Sequence, residues 1–304
     1  MVRQGYLKMS EELRVVSKED EYDNLLLGKS PAIRRSFVTR FLLAFQFLTI
    51  MPLKVKGNIS EKEIAKSATF FPAVGAFQGS LVLLSALLLS KVLPSEIVSG
   101  LIILILIISN GGFHLDGLAD TFDALSVKSS GSEAIDRENR LFVMKDSATG
   151  AIGVTAIVLT ILLKFLLIKN LLATYTLPLV PYFMLFLMPV FSRWSMVPAI
   201  FHGKSARQDG LGKIFIDNAG AKEFLLSTTL TIGCWFVLSF TLPLLSHLPL
   251  LLLSLFVLYI LSFSATRFFD KKFNGLTGDN LGAISEISEI LFLMATSILL
   301  QHFI

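Results

Sequence analysis

Cysteine and charge are both scarce in this sequence. Cys234 is the single cysteine among 304 residues, which excludes an intramolecular disulfide and any cysteine-based metal cluster. Charged residues make up 16% of the chain, whereas a soluble domain carries about 25%. Hydrophobic residues reach 53%, and the mean hydropathy is +0.70. Because no long apolar run precedes Phe37, we also expect no cleaved signal peptide.

Apolar runs near twenty residues in length recur along most of the chain, and such runs are long enough to cross a bilayer as α-helices. Residues 37–53 form a shorter run that ends at Pro52, which is typical of a re-entrant or interfacial segment. The sequence therefore predicts an all-α fold, a polytopic membrane helical bundle of about seven spanning helices. The candidate spans are 67–92, 95–111, 148–168, 174–200, 223–245, 248–268 and 283–304.

The first 36 residues mix both signs of charge and contain few aromatics. That composition is typical of a peripheral, partly disordered segment or a short surface helix. We therefore divide the chain into a charged peripheral leader, residues 1–36, and a transmembrane domain, residues 37–304, to which the candidate site residues described below belong.

Lysine and arginine are distributed unevenly between the two sides of the predicted bundle. If residues 37–53 do not cross, the leader and the loops after the second, fourth and sixth spans hold 24 of the 27. The other three, Lys91, Lys164 and Lys169, are expected near the opposite ends. The positive-inside rule then places these loops in the cytoplasm and the protein in the cell membrane. Most aspartates fall on the same side, so one face is expected to carry the chemistry.

The segment 109–125 places Asp116, Asp120 and Asp123 within eight residues, directly after a long apolar run. On an α-helix these positions fall within an arc of roughly 60°. Carboxylates crowded on one face repel each other unless a cation lies between them. A solvated acidic face is the simplest explanation, but the mouth of a membrane span favours a divalent metal site. Oxygen ligands of this kind suit Mg²⁺ or Mn²⁺.

A second polar segment, residues 144–153, leads into the third predicted span. Asp146 or Ser147 could simply cap the helix that follows. Alternatively, Lys145 and Ser147 contact a substrate phosphate beside the amides at the helix start. In that hypothesis Lys145 also acts in catalysis, and Asp146 is a further metal ligand.

Two further segments supply cations. Arg193 lies between two prolines near the end of an apolar run. It could snorkel to the interface, but an arginine at membrane depth is by default a functional candidate. We expect it to bind the substrate phosphates. The loop 204–212 contains Lys204 and Arg207. This loop is either an ordinary positive-inside connection or a clamp that binds a pyrophosphate, to which arginine gives bidentate contacts.

The segment 275–289 begins the last predicted helix and contains Asp279 and Glu286. Asp279 could serve only as the helix N-cap, whereas Glu286 would lie about 10 Å into the span. A carboxylate at that depth needs a cation or a metal as its partner. We therefore expect both to belong to the site of the first cluster, Asp279 as metal ligand or anchor and Glu286 beside the metal or Arg193.

Carboxylates that hold Mg²⁺ beside lysine and arginine are typical of phosphoryl transfer, in which the metal and the cations neutralise charge on the transferring group. A general base would be a carboxylate or histidine within about 3 Å of the attacking hydroxyl. His114 precedes Asp116 by two residues and is a candidate ligand or proton carrier. We place Asp120 and His114 ahead of Glu286 as the base.

These motifs resemble those of the cobalamin synthase family, the adenosylcobinamide-GDP ribazoletransferases, over nearly everything after the leader. The blocks His114-Leu-Asp-Gly-Leu-Ala-Asp120 and Thr277-Gly-Asp279 are very specific in combination. The other matching positions are 47–52, 70–75, 144–147, 192–193, 207, 210–212, 281–283 and 286.

The resemblance implies a membrane enzyme that completes the lower nucleotide loop of cobamides. Adenosylcobinamide-GDP and α-ribazole, or its 5′-phosphate, would give the cobamide and GMP, with Mg²⁺ as the cofactor. The ribazole 5′-hydroxyl would attack the phosphate nearest the cobinamide arm. The expected partners are these two substrates and the lipid bilayer, without nucleic acid, and association into a homo-oligomer is left open.

Two alternatives stay open. Asp116-Gly117 and Ala119, with the neighbouring aspartates, also resemble part of the CDP-alcohol phosphotransferase motif, which would mean a lipid phosphotransferase that releases CMP. A transporter is the other alternative. It would carry charges along a midplane pathway and contain inverted repeats with broken helices, whereas the charges here are confined to one face.

Overall fold

The computed structural model describes residues 15–16, 37–53, 55, 59–146, 148–174, 179–239 and 248–303, so most of the predicted leader lies outside the described residues. The predicted all-α class is confirmed, with one short parallel strand pair, β1 (Val15–Val16) and β2 (Ile59–Ser60). The helices are α1 (Phe37–Leu48), α2 (Glu61–Lys66), α3 (Phe71–Leu89), α4 (Ser95–Asn110), α5 (Phe113–Leu125), α6 (Glu133–Val143), α7 (Ala151–Thr174), α8 (Val180–His202), α9 (Leu211–Asn218), α10 (Ala221–Ser239), α11 (Leu248–Phe273) and α12 (Gly278–Phe303), with a 3₁₀ turn at Ser67–Phe70.

Five helical stretches of the described chain are long and apolar enough to cross a membrane, and the bent pair of α4 and α5 makes a sixth if it counts as one span. About seven were predicted. The predicted span that falls outside this set is the one at α10, and residues 240–247, directly after it, are not described. Helix α1 is apolar but only 12 residues long, as expected for a segment that does not cross by itself.

The bend between α4 and α5 has a local cause in the sequence. Gly111 and Gly112 adopt φ values of 66° and 74°, in the left-handed region that favours glycine. They end α4 and turn the chain by 89° before α5 begins. The acidic segment therefore forms a helix of its own instead of extending the preceding span.

Helix α8 lies at the centre of the bundle. It packs against α3, α10, α11 and α12, while α12 also packs against α5 and α7. In its apolar window 89% of the residues are buried, compared with 28% for α7 and α11. Helices α8 and α12 are therefore the inner helices, and α7 and α11 present much of their apolar surface outwards.

The loop before α6 is held by one carboxylate. Asp136 accepts hydrogen bonds from the hydroxyl of Ser129 (2.6 Å) and from the amide and hydroxyl of Ser130 (2.6 and 2.7 Å). These bonds lower the pKa of Asp136 from 3.8 to about 2, and the bond from Ser129 makes the largest contribution. The charged carboxylate therefore ties this loop to α6.

We expect Asp136→Asn to lower the thermal stability of the detergent-solubilised protein at neutral pH. Because the pKa is lower in the folded state, the stabilisation is complete above about pH 4 and is lost as the pH falls towards about 2. Melting curves of the variant and the unaltered chain should thus converge over that range. Glu138→Gln, at an exposed carboxylate of the same helix, serves as the control. A stability difference for Asp136→Asn that is independent of pH would contradict this account.

Candidate active site

A cavity of about 510 Å³ lies where α5, α9 and α12 begin. Part of its wall is polar and carries both signs of charge, and the rest is largely apolar. The charged residues and the histidine that line it are His114, Asp116, Asp120, Lys145, Arg207, Asp209, Lys213 and Asp279. Three of the sequence segments singled out above therefore meet the acidic cluster at one cavity.

Two glycines bring α5 and α12 into contact. A Cβ on Gly117 would lie 2.8 Å from the carbonyl oxygen of Asp279, and one on Gly282 would lie 3.2 Å from the Cα of His114. Real Cβ atoms essentially never lie closer than 3.0 Å to a backbone atom of another segment, so glycine is required at 117, whereas at 282 a Cβ would make a tight contact that needs a small shift of its neighbour. The close crossing places Asp116 and Asp120 beside the first turn of α12.

The loop before α9 is attached to the start of α12 by backbone hydrogen bonds. The Ala206 amide donates to the Leu276 carbonyl (2.9 Å), and the Leu276 amide donates to the Lys204 carbonyl (2.7 Å). This pairing sets Arg207 beside Asp279, with 2.9 Å between the guanidinium and the carboxylate. Both side chains are partly exposed, at 21% and 26%, so ligands in the cavity can reach them.

Asp123 does not face the cavity with Asp116 and Asp120. Its two carboxylate oxygens accept hydrogen bonds from the amides of Gly150 and Gly153, each at 2.7 Å. It therefore satisfies amides at the start of α7, where a negative charge is also favourable. The structure thus assigns Asp123 a capping role instead of the predicted place in a three-carboxylate metal site.

We expect Asp123→Ala to lower the free energy of unfolding by about 1–3 kcal/mol, because two amides lose a charged acceptor. The folded fraction should keep its activity. Chemical unfolding in mixed micelles, combined with activity per folded molecule, measures both. Glu138→Ala removes an exposed carboxylate and should be within about 0.5 kcal/mol of the unaltered chain. A variant that is stable but inactive would return Asp123 to the metal site.

The segment before α7 contributes one residue to the cavity. Lys145 lines it, and its role at a substrate phosphate stays a prediction. Asp146 is exposed and accepts a hydrogen bond from the Ala148 amide at 3.1 Å, so the structure places it outside the lining, as a turn residue instead of the predicted metal ligand. Ser147, predicted to bind substrate, lies outside the described residues.

Arg193 and Glu286 lie deep in the bundle and away from the cavity lining. The Arg193 guanidinium is fully buried and donates to the hydroxyls of Ser192 (2.8 Å) and Ser285 (2.6 Å) and to the Glu289 carboxylate (3.2 Å). Glu286 forms an ion pair with Lys164. The partner required by the depth of Glu286 is therefore a lysine, and neither Arg193, predicted to bind substrate, nor Glu286, predicted to bind metal, lines the cavity.

Lys164 and Glu289 are the charged residues of this network that the sequence reasoning missed. Lys164 was predicted near the far end of its span, but it lies near the middle of α7, only 4% exposed, and pairs with both Glu286 and Glu289. The available signal was the spacing of Glu286 and Glu289, three residues apart on one helical face. A single lysine inside an apolar run was the matching signal.

His114 lines the cavity and is 5% exposed, and no described residue bonds to its Nδ1. Lys204 instead forms an ion pair with Asp270 at 3.0 Å, so it lies beside α11 and not in the lining. Asp209 and Lys213 line the cavity but were not predicted as site residues. The hydrogen bond from Lys213 to Asp217 raises the pKa of the lysine, which therefore stays charged.

Comparison with known proteins identifies the family. The family model described as cobalamin-5-phosphate synthase matches residues 40–297. The chain belongs to this family. The adenosylcobinamide-GDP ribazoletransferase of Thermodesulfovibrio yellowstonii is 40% identical over 258 residues, which are 84% of this chain and 95% of the relative. Enzymes of the same name from Geotalea daltonii and Thermoanaerobacter sp. are 35% and 34% identical, over 84% and 83% of this chain and 95% and 94% of theirs. No solved structure matches.

The cobalamin-5-phosphate synthase match includes every residue that lines the cavity. Within the part of the chain that the structure describes, no group of three or more His, Cys, Asp or Glu side chains could hold a metal ion. Mg²⁺, however, commonly binds through one or two carboxylates together with substrate phosphates and water. Asp116 and Asp120, which line the cavity with Arg207 and Lys145, are two carboxylates of this kind.

Proposed function

We propose that this chain is an adenosylcobinamide-GDP ribazoletransferase, the activity for which its curated relatives are named. It would transfer the phosphocobinamide group to a free ribose hydroxyl of α-ribazole or of α-ribazole 5′-phosphate and release GMP. The expected 5′-hydroxyl can be the acceptor only in α-ribazole itself, because the 5′-oxygen of the 5′-phosphate already carries a phosphate. The observation that carries the proposal is that Asp116, Asp120 and Asp279 line one cavity with Lys145 and Arg207. A substrate with a diphosphate needs both a cation site and direct positive charge.

In the proposed reaction, the ribazole oxygen forms a bond to the phosphorus nearest the cobinamide arm. The bond from that phosphorus to the bridging oxygen breaks, and the electron pair leaves with GMP. Arg207 and Lys145 would bind the diphosphate oxygens and hold the phosphorus in line with the attacking oxygen. Asp120 would accept the hydroxyl proton, and His114, on the same helix and cavity, is the alternative acceptor.

Mg²⁺ is the proposed cofactor, with Asp116 and Asp120 as its ligands from the protein. When bound, it would supply positive charge to the phosphate oxygens as the transferring group develops charge. Asp279 is placed next to Arg207, so its proposed role is to orient that guanidinium towards the diphosphate.

We further propose that the bundle spans the cell membrane with the cavity on the cytoplasmic side. The support is the distribution of Lys and Arg along the sequence: the segments predicted on that side hold 24 of the 27, or 23 without the buried Arg193. A cytoplasmic opening would give direct access to nucleotide-bearing substrates and let GMP leave into the same compartment.

The test is to mix the purified, detergent-solubilised protein with adenosylcobinamide-GDP, α-ribazole and Mg²⁺. Release of GMP together with formation of the cobamide is the expected result. CMP release from a CDP-linked lipid alcohol, without GMP release in the first assay, would support the lipid phosphotransferase instead. Movement of cobinamide across reconstituted vesicles without any chemistry would identify a transporter.

A further inference from the structure

One wall of the active-site cavity is aromatic and apolar. Phe47 from α1, Phe71 from α3 and Phe215 from α9 all line it. Their exposed fractions are only 3%, 1% and 5%, so these rings are fixed in the hydrophobic core and contribute only a small surface to the cavity. Apolar side chains from α1, α8 and α12 extend this wall, namely Leu48, Met196 and Leu281.

The three rings support one another through edge contacts. The ring centroids of Phe215 and Phe47 are 5.4 Å apart with an interplanar angle of 89°, and those of Phe215 and Phe71 are 5.3 Å apart with an angle of 62°. Both distances and angles are those of favourable T-shaped aromatic pairs. Phe215 is therefore the central ring of a preorganised aromatic wall that three separate helices build.

The substrates of the proposed reaction carry two different aromatic bases. The guanine of the departing nucleotide has donors and acceptors along its edge, and an apolar wall would leave these groups without partners. The benzimidazole of ribazole has C–H and methyl groups along most of its edge, and such a surface is stabilised by burial against aromatic rings. The wall therefore suits the benzimidazole and disfavours the guanine.

We propose that Phe47, Phe71 and Phe215 form the subsite that binds the aromatic base of α-ribazole. This inference rests on the proposed function and extends it to the selection of the lower base. The charged wall would hold the diphosphate of the other substrate, and the ribose of ribazole would place its attacking hydroxyl between the two walls. Purine ribosides, which have polar ring nitrogens and amino groups, would bind less well.

Binding measurements without turnover test this subsite independently of catalysis. Isothermal titration calorimetry on the detergent-solubilised full chain would give the dissociation constants of α-ribazole and of the α-riboside of adenine. The dissociation constant of GDP would report on the charged wall. The unaltered protein should bind α-ribazole about 10-fold or more tightly than the adenine riboside. Phe215→Leu, which keeps apolar bulk but removes the ring, should weaken α-ribazole binding about 3- to 10-fold and leave GDP binding unchanged.

Phe45→Leu is the matched control. Phe45 is on the same helix as Phe47, is 7% exposed and has ring partners of its own, Phe41 and Phe77, but it does not line the cavity. It should bind both ribosides as the unaltered chain does. If Phe215→Leu does not yield folded protein, Phe47→Leu carries the same expectation.

Several results would overturn the subsite. One is equal affinity of the unaltered protein for the two ribosides, and another is a Phe215→Leu variant that binds α-ribazole normally. Equal losses of α-ribazole and GDP binding, or equal losses in Phe215→Leu and Phe45→Leu, would also reject it. Ring-dependent α-ribazole binding without GMP release would reject the proposed transferase but retain the subsite. GMP release without ring-dependent α-ribazole binding would support the proposed transferase but reject the subsite.

Discussion

Asp116→Asn and Asp120→Asn should each lower the rate of GMP release by at least about 10²- to 10³-fold, the usual loss when one stabilising group is removed from a transition state. Both carboxylates line the cavity beside Lys145 and Arg207. Asparagine keeps the size of the side chain but removes the charge that would hold a divalent cation. Asp116 is exposed and Asp120 half-buried, so neither change should cost much stability.

The dependence on Mg²⁺ concentration separates metal binding from other roles. If Asp116 is a ligand, the residual activity of Asp116→Asn should need a much higher Mg²⁺ concentration for half-maximal rate. Asp123→Asn is the matched control, because it makes the same change on the same helical face at a residue that caps α7. Normal turnover by Asp116→Asn and Asp120→Asn would remove the acidic helix from the catalytic account.

Lys164→Met should be the most destabilising of the changes considered, lowering the free energy of unfolding by about 3–5 kcal/mol. The substitution leaves Glu286 and Glu289 buried, at 2% and 1% exposure, and removes the cation that both contact. Glu289 would still pair with Arg193, but Glu286 would lose the lysine with which it forms its ion pair. Unfolding in mixed micelles measures the loss, and the folded fraction should keep its Mg²⁺ dependence because the network does not line the cavity.

A neighbouring ion pair provides the control for this prediction. Lys169 is on the same helix and pairs with Glu96 at 2.9 Å, but the two side chains are 41% and 50% exposed. Lys169→Met should therefore leave the free energy of unfolding almost unchanged. In the double variant Lys164→Met/Glu286→Gln much of the lost stability should return, since one buried charge is removed with its partner. Equal losses in the single and double variants would contradict the role of charge pairing.

The spanning helices could be predicted from apolar run length because a bilayer requires that length of every crossing helix. Their ends were less predictable. Helix α4 ends close to the predicted position 111 because two glycines with positive φ follow its last residue. The sequence pattern alone does not reveal the 89° turn between α4 and α5. That turn makes α5 a separate element.

Within the acidic helix, the sequence correctly predicted which carboxylates share a face. It did not show that their separation along the helix axis would keep one of them out of the site. Asp116 and Asp123 share a face, yet seven residues separate them by about 10 Å, which is enough to carry Asp123 beyond the cavity to the start of α7. For Glu286 the need for a charged partner was correct, but its identity depends on which helix packs against α12. Long-range pairings such as that with Lys164 are tertiary, so local sequence does not specify them.

The ion pair between Arg207 and Asp279 has a thermodynamic consequence for the order in which ligands bind. An anion that binds the Arg207 guanidinium weakens the ion pair of that group with the Asp279 carboxylate. The carboxylate is then less neutralised, so the affinity of the cavity for a cation increases. Linkage requires the converse to hold by the same factor: Mg²⁺ should tighten GDP binding as much as GDP tightens Mg²⁺ binding. Reciprocal titrations of the two ligands should give one coupling factor, and Asp279→Asn should reduce it towards one. Through this ion pair, each ligand would bind the cavity tightly only when the other ligand is also bound.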